Sequence, residues 1–229
     1  MGRHAVVSGT SSGIGQATAR RLLEDGWTVT GLDLTPSTLR HDAFRGTVCD
    51  LRDLGTLKEA LKQAQSASDG VHAMVHCAGH MKTAPLGSLD PDASLEMWRV
   101  HVLAAQAMAD VLLPGMPDEG RVVLIGSRTA SGAAGRSEYA ACKSALTGMA
   151  RSWAQEVVKR RITVNVVSPA ATRTAMLDDP ARAKAPPVLP PMGRYIEADE
   201  VAGTVGFLLS PGAGGITGQN IVICAGASL

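Results

Sequence analysis

Apolar positions along the chain fall into two alternating patterns. Short runs at 4–8, 28–33, 46–49, 73–76, 121–125, 163–167 and 220–223 are apolar at consecutive positions. A strand with one wet face alternates, whereas a strand covered on both faces has no need to. These seven runs therefore read as strands of a buried sheet. Between them, the stretches 14–25, 54–65, 93–113, 137–159 and 198–209 carry apolar residues at helical spacing. Strand–helix alternation of this kind implies βαβ units. The expectation is an α/β single-domain Rossmann fold over residues 1–229: a doubly wound parallel sheet of about seven strands with helices on both faces. The connection after Asp33 is short, so its helix is expected to shrink to a turn or two. The stretch 178–191 holds five prolines. It reads as part of a loop over a substrate pocket, at 175–195, because the chain beyond it is too short for a second domain.

Composition sharpens this picture. The 229 residues are 45% hydrophobic but only 3% aromatic, so the core must be aliphatic. The 22 basic and 21 acidic residues nearly cancel and form no long basic run, which argues against nucleic acid or a membrane surface as partner. Cys49, Cys77, Cys142 and Cys224 are scattered without a CxxC, and His4, His41 and His72 have no partners at metal-ligand spacing. Neither a disulfide framework nor a metal is expected. No stretch is long and apolar enough for a signal core or a membrane span, and a cytoplasmic protein is the expectation.

Two places concentrate glycine, acid and hydroxyl chemistry. The first strand runs into Ser8-Gly9-Thr10-Ser11-Ser12-Gly13-Ile14-Gly15 and a helix comes at once after it. Gly9 permits a tight turn, while Gly13 and Gly15 let backbone approach a pyrophosphate and the helix lie close on the strand. The helix N-terminus adds free N–H groups and partial positive charge. The second strand ends in Asp33, whose carboxylate can accept hydrogen bonds from a ribose diol and would repel a 2′-phosphate. No Lys or Arg stands in the turn or just after Asp33, so NAD (NADH) is expected over NADP.

The second place is Tyr139 and Lys143, four apart and hence on one helix face. A lysine ammonium close by favours the phenolate and moves tyrosine toward general acid/base work. Ser127 comes just after an apolar strand, at the end where parallel-sheet sites form, and can hold the substrate oxygen.

Together these motifs resemble the classical short-chain dehydrogenase/reductase family over almost the whole chain. Gly9-x-x-x-Gly13-Ile14-Gly15 is similar to its cofactor motif, which brings in Ser12. Asp50-Leu51 resembles its adenine-contacting pair, and Ala78-Gly79, after Cys77, the end of its fourth-strand element. Tyr139-x-x-x-Lys143 with Ser127 resembles its catalytic set. Asn165 through Pro169, then Thr172 and Thr174, resembles the segment around the nicotinamide amide. The resemblance implies an NAD(H)-dependent oxidoreductase interconverting a secondary alcohol and a ketone, Lys143 also binding the nicotinamide ribose, and a homodimer or homotetramer. Two alternatives are a 3-ketoacyl-type reductase and a non-catalytic NAD(H)-binding redox-sensing or interaction protein.

The chain departs from the family pattern in places. His76-Cys77 stands for Asn-Asn, Ala170 for a glycine, Cys224-Ala225-Gly226 for Asp-Gly-Gly, and the Ser-to-Tyr spacing is twelve. His101 stands for the asparagine of the family's proton relay. An imidazole there is expected to pass protons itself and to add an inflection to the rate between about pH 6 and 8. Arg128, Arg136 and Arg173 flank the expected site loops as candidates for an anionic substrate, and His80 as a candidate pocket residue.

Overall fold

A computed structural model describes residues 2–177 and 186–229. Its elements alternate as the apolar runs require: β1 His4–Ser8, α1 Gly13–Glu24, β2 Thr28–Asp33, β3 Phe44–Val48, α2 Leu54–Ser66, β4 Ala73–His76, α3 Pro91–Trp98, α4 Ala104–Leu112, β5 Arg121–Ile125, α5 Ser137–Val157 and β6 Thr163–Pro169. The short β7 Thr172–Arg173 and β8 Ile196–Glu197 come next, then α6 Ala198–Leu208 and β9 Asn220–Ile223. Seven strands form one sheet in the order β3-β2-β1-β4-β5-β6-β9, every neighbouring pair parallel. Strand order reverses between β1 and β4, where the connections leave to opposite sides. A crevice opens at such a point outside the carboxyl ends of the strands.

Both sheet faces are covered, which explains the unbroken apolar runs. One core layer joins Val6, Met74, Val122 and Val164 to Leu57 and Leu61 of α2, Met108 and Leu112 of α4, and Leu146 of α5. The other joins Val7, Val29, Val75 and Val167 to Leu22 of α1 and Val201 and Val205 of α6. Met149 and Trp153 of α5 pack partly buried against the first layer.

Several boundaries differ from the sequence expectation. β3 runs from Phe44 instead of residue 46, because Phe44 pairs in register with Val29. α3 starts at Pro91: the Asp90 side chain accepts from the N–H groups of Asp92 and Ala93, and proline fits the first turn. The stretch expected as one helix over 93–113 is broken by a π-helical turn at Arg99–Leu103. The two-residue pair β7–β8 had no periodic signal, being too short to show one. Residues 178–185 of the expected substrate loop lie outside the described residues.

Two histidines are built into the sheet. His4 is buried, with Nδ1 on Ser68 Oγ at 2.7 Å and Nε2 on Thr30 Oγ1 at 2.9 Å. His76 closes β4, with Nδ1 at 2.9 Å from Ser8 Oγ. Burial, chiefly, pulls both below the usual 6.5, His76 to about 3. His76 is therefore neutral when folded but takes a proton near pH 6.5 when unfolded, and His4 is shifted in the same direction. A depressed histidine contributes stability that is complete above the unfolded value and is lost as pH falls below it. His76 alone should remove about 1.4 kcal/mol of stability per pH unit below that point. Urea melts at about pH 7.5 and 5.5 should show this loss, and His76→Asn should narrow the gap between the two midpoints, the rest of it coming from His4 and His101. Identical wild-type stabilities at the two pH values would contradict it.

Candidate active site

The site begins where β1 ends. Gly9 has φ +79°, and a Cβ there would lie 2.9 Å from the Ala78 nitrogen at the end of β4. Gly13 has φ +54°, and a Cβ on Gly15 would collide with the Gly9 carbonyl oxygen. The three glycines let the turn fold back on itself against β4. Ser12 precedes α1 without a side-chain cap, so the first N–H groups of the helix stay open to the cavity. Asp33 closes β2 and lies against this turn: Oδ2 accepts from the Ser11 N–H at 2.8 Å and Oδ1 from the Thr35 N–H at 3.1 Å. The carboxylate is thus held by two backbone donors and, among the described residues, by no cation. Asp50, after β3, is gripped by Arg52, whose hydrogen bonds are the main cause of its lowered pKa. Arg52 also reaches Glu96 of α3 at 2.8 Å.

β4 and β1 meet through one hydroxyl. Ser8 Oγ accepts from the N–H groups of Cys77 at 3.1 Å and Ala78 at 3.2 Å. With both lone pairs engaged, its proton goes to His76 Nδ1. His76 therefore carries its own proton on Nε2, which faces the Val100 and His101 carbonyls of the π turn without closing a hydrogen bond. The π turn brings successive residues His101 and Val102 both inward.

Ser127, Tyr139, Lys143 and His101 converge from β5, α5 and this turn. Ser127 is buried and its Oγ accepts from the Thr129 N–H at 3.1 Å, which leaves its O–H to donate. Lys143 Nζ donates to the Ile125 carbonyl at 2.7 Å and lies 5.7 Å from the Tyr139 ring centroid. Burial pulls the Lys143 ammonium down to about 8. The His101 ring stands edge-on to Tyr139, centroids 5.5 Å apart, and covers Gly79 so closely that a Cβ there would strike it. His101 Nε2 donates to the His80 carbonyl at 2.8 Å, so it is the protonated nitrogen, and Nδ1 is a buried acceptor with no partner among the described residues.

One cavity of about 850 Å³ joins all of this. Among the residues singled out from sequence, it is lined by Gly9, Ser12, Gly13, Ile14, Gly15 and Asp33 at one end, and Asp50, Leu51, Cys77, Ala78 and Gly79 along the side. His101, Ser127, Tyr139, Lys143, Pro169, Thr172 and Thr174 line the other end. His80, Arg128 and Arg136 also line it. Arg173 does not; it pairs with Glu197 at 3.0 Å across β7–β8. Asn165 serves the sheet instead, donating to Ile216 O at 2.7 Å and accepting from the Gln219 N–H at 3.1 Å. The described flanks of the proline-rich stretch, Met176 and Pro187–Pro191, form one wall. Sequence reasoning missed Ser8, although a serine closing a buried strand was a signal, and Arg52 and Glu96, whose pairing spans distant segments.

The residues present fit a nicotinamide dinucleotide: a glycine cradle that Cβ atoms would fill, an uncapped helix N-terminus, and an oriented carboxylate at the end of β2. Comparison with known proteins points to one family. A family model described as enoyl-(acyl carrier protein) reductase matches residues 9–228. A 3-oxoacyl-[acyl-carrier-protein] reductase of Vibrio harveyi is 31% identical over 237 residues, covering 98% of this chain and 97% of the relative. Carbonyl reductase family member 4 of Xenopus laevis is 30% identical, covering 100% and 99%. Among solved structures, a blue fluorescent protein from a metagenomic library in complex with NADPH superimposes with TM-score 0.89 at 31% identity, covering 100% and 98%. A short-chain dehydrogenase/reductase from Serratia marcescens gives TM-score 0.87 at 29% identity, covering 100% and 99%.

The expected His101 inflection between about pH 6 and 8 does not suit this environment. Burial, then the Lys143 charge, hold the imidazole well below 6.5. NMR of the imidazole nitrogens should find His101 neutral and protonated on Nε2 from pH 8 down to 6. A midpoint inside that window would reinstate a titrating relay.

Proposed function

The chain belongs to the short-chain dehydrogenase/reductase family of nicotinamide-dependent oxidoreductases, and on that premise we propose that it interconverts a secondary alcohol and a ketone with NAD(H). The observation that carries this reading is the convergence of Ser127, Tyr139 and Lys143 on the cavity that also holds the glycine turn and Asp33. When bound, NAD supplies the ring carbon that accepts or returns the hydride. Ser127 donates its O–H to the substrate oxygen. Tyr139 takes the alcohol proton in oxidation and returns it in reduction. The Lys143 ammonium, within 5.7 Å of the ring, stabilises the phenolate that this requires and binds the nicotinamide ribose. His101 stays neutral and acts as a packing and hydrogen-bonding neighbour. Burial of Tyr139, Lys143 and His101 keeps bulk water off the reacting pair.

Loss of the phenol should separate chemistry from binding. Tyr139→Phe keeps the ring but removes the transferable proton, so turnover should fall by about 10²–10⁴-fold while NADH fluorescence titration gives an affinity close to wild type. A variant retaining more than about a tenth of the rate sinks the assignment.

Asp33 supports NAD over NADP. Its carboxylate, with no cation beside it among the described residues, suits a ribose diol and repels a 2′-phosphate. kcat/KM should favour NADH over NADPH, and Asp33→Ala should narrow the gap. Equal values, or a preference for NADPH, in the wild type would overturn the reading. They would favour instead a 3-ketoacyl-type reductase, the reading to which the Vibrio harveyi relative points.

A further inference from the structure

We propose that Arg128 binds an oxyanion on the substrate, so that the site takes ketones and alcohols carrying a carboxylate or phosphate. This rests on the alcohol–ketone reading above and adds a substrate class to it.

Arg128 is the residue directly after Ser127 and lines the same cavity as Tyr139. It opens a short 3-10 turn, Arg128–Ser131, that is pinned from several sides. Ser127 Oγ accepts from the Thr129 N–H, Ser131 Oγ donates to the Arg128 carbonyl at 3.0 Å, and Ser144 Oγ of α5 donates to the Ala130 carbonyl at 2.6 Å. The backbone that carries the guanidinium is therefore fixed relative to Ser127 and α5.

Charge is distributed unevenly around the cavity. Its three lining acidic side chains, Asp33, Asp50 and Glu96, lie at the ends of β2 and β3 or on α3. Asp33 is held by backbone donors, Asp50 by Arg52, and Glu96 by Arg52 and Lys82. Around β5 and α5 the lining holds Arg128, Arg136 and Lys143 and, among the described residues, no carboxylate. Two of these cations have acceptors: Arg136 donates to the Pro186 carbonyl at 3.1 Å and Lys143 to the Ile125 carbonyl. Half-buried Arg128 has no ion pair and no side-chain hydrogen bond among the described residues. A guanidinium partly withdrawn from water without a counter-charge is costly, and its fork matches the two oxygens of a carboxylate or phosphate. Met81, Met176 and Val188 line the cavity with it and suit the aliphatic body of such a substrate.

The test compares matched pairs with NADH. The 3-, 4- and 5-oxo acids are run against their methyl esters, and dihydroxyacetone phosphate against dihydroxyacetone, which separates the carboxylate source from the phosphate source. At least one anion should exceed its neutral partner in kcat/KM by about tenfold or more, the range expected of a charge-assisted hydrogen bond. Arg128→Gln should bring that ratio close to one, and Arg128→Lys should recover part of it. A ratio near one for every wild-type pair, or a ratio unchanged by Arg128→Gln, overturns the proposal. If no compound of the panel turns over, the alcohol–ketone reading fails separately. Calorimetry of 4-oxopentanoate and dihydroxyacetone phosphate on the protein–NADH complex then decides: binding abolished by Arg128→Gln supports the oxyanion site, while binding insensitive to it, or absent in the wild type, overturns it.

Discussion

Covering a parallel sheet on both faces leaves almost nowhere for chemistry except the ends of its strands. Every interior position of β1, β4, β5 and β6 is buried between the two helical layers. Polar groups that must meet a ligand are pushed to the carboxyl ends, where the backbone leaves the sheet and helix N-termini arrive. Asp33 and Ser127, which line the cavity, lie at such ends, while Ser8 and His76, which close β1 and β4, stay buried beneath it. The reversal of strand order between β1 and β4 opens the gap into which α1 and the π turn face. The cavity is thus a consequence of topology, and the residues in it are those that the sheet could not bury cheaply.

The buried cation of Lys143 then governs its surroundings. It has one protein acceptor, the Ile125 carbonyl, and no carboxylate partner among the described residues. A second positive charge nearby would raise the cost of keeping it. His76 and His101, both within its influence, are driven in the same direction by their own burial, so they stay neutral and leave the ammonium as the local charge. His101, which the sequence offers as a proton carrier, and His76 both act as neutral hydrogen-bonding struts. His76 ties β1 to β4 through Ser8, and His101 ties the π turn to the His80 carbonyl while covering Gly79.

The range of each interaction decided whether the sequence revealed it or hid it. The seven strands were legible because burial on both faces writes itself into consecutive residues. The glycine turn and Tyr139–Lys143 were legible because their geometry is local, set within a turn or along one helix face. The π turn was not legible: Arg99–Leu103 carries no glycine or proline to mark it, and its effect is to aim His101 and Val102 together. The protonation of His101 was misjudged for the same reason, since burial and the Lys143 charge come from segments far along the chain. The Arg52–Glu96 pair and the Ser8–His76 bond likewise join residues 44 and 68 positions apart.

The charge asymmetry of the cavity gives its two ends different selectivity. At the Asp33 end, fixed carboxylates accept hydrogen bonds from hydroxyl groups and disfavour added anions. Between the ends, the open N–H groups of α1 offer dipolar donors without net charge, suited to a diester that is already anionic. At the Ser127 end, Lys143, Arg128 and Arg136 set a positive potential in a setting where water is sparse. In the proposed reading a dinucleotide lies along this gradient with its diol against Asp33 and its reactive ring against Tyr139. The potential that favours a phenolate at Tyr139 also favours an anion on whatever lies beside it, so under the two proposals a single arrangement of fixed charge serves both proton transfer and choice of substrate.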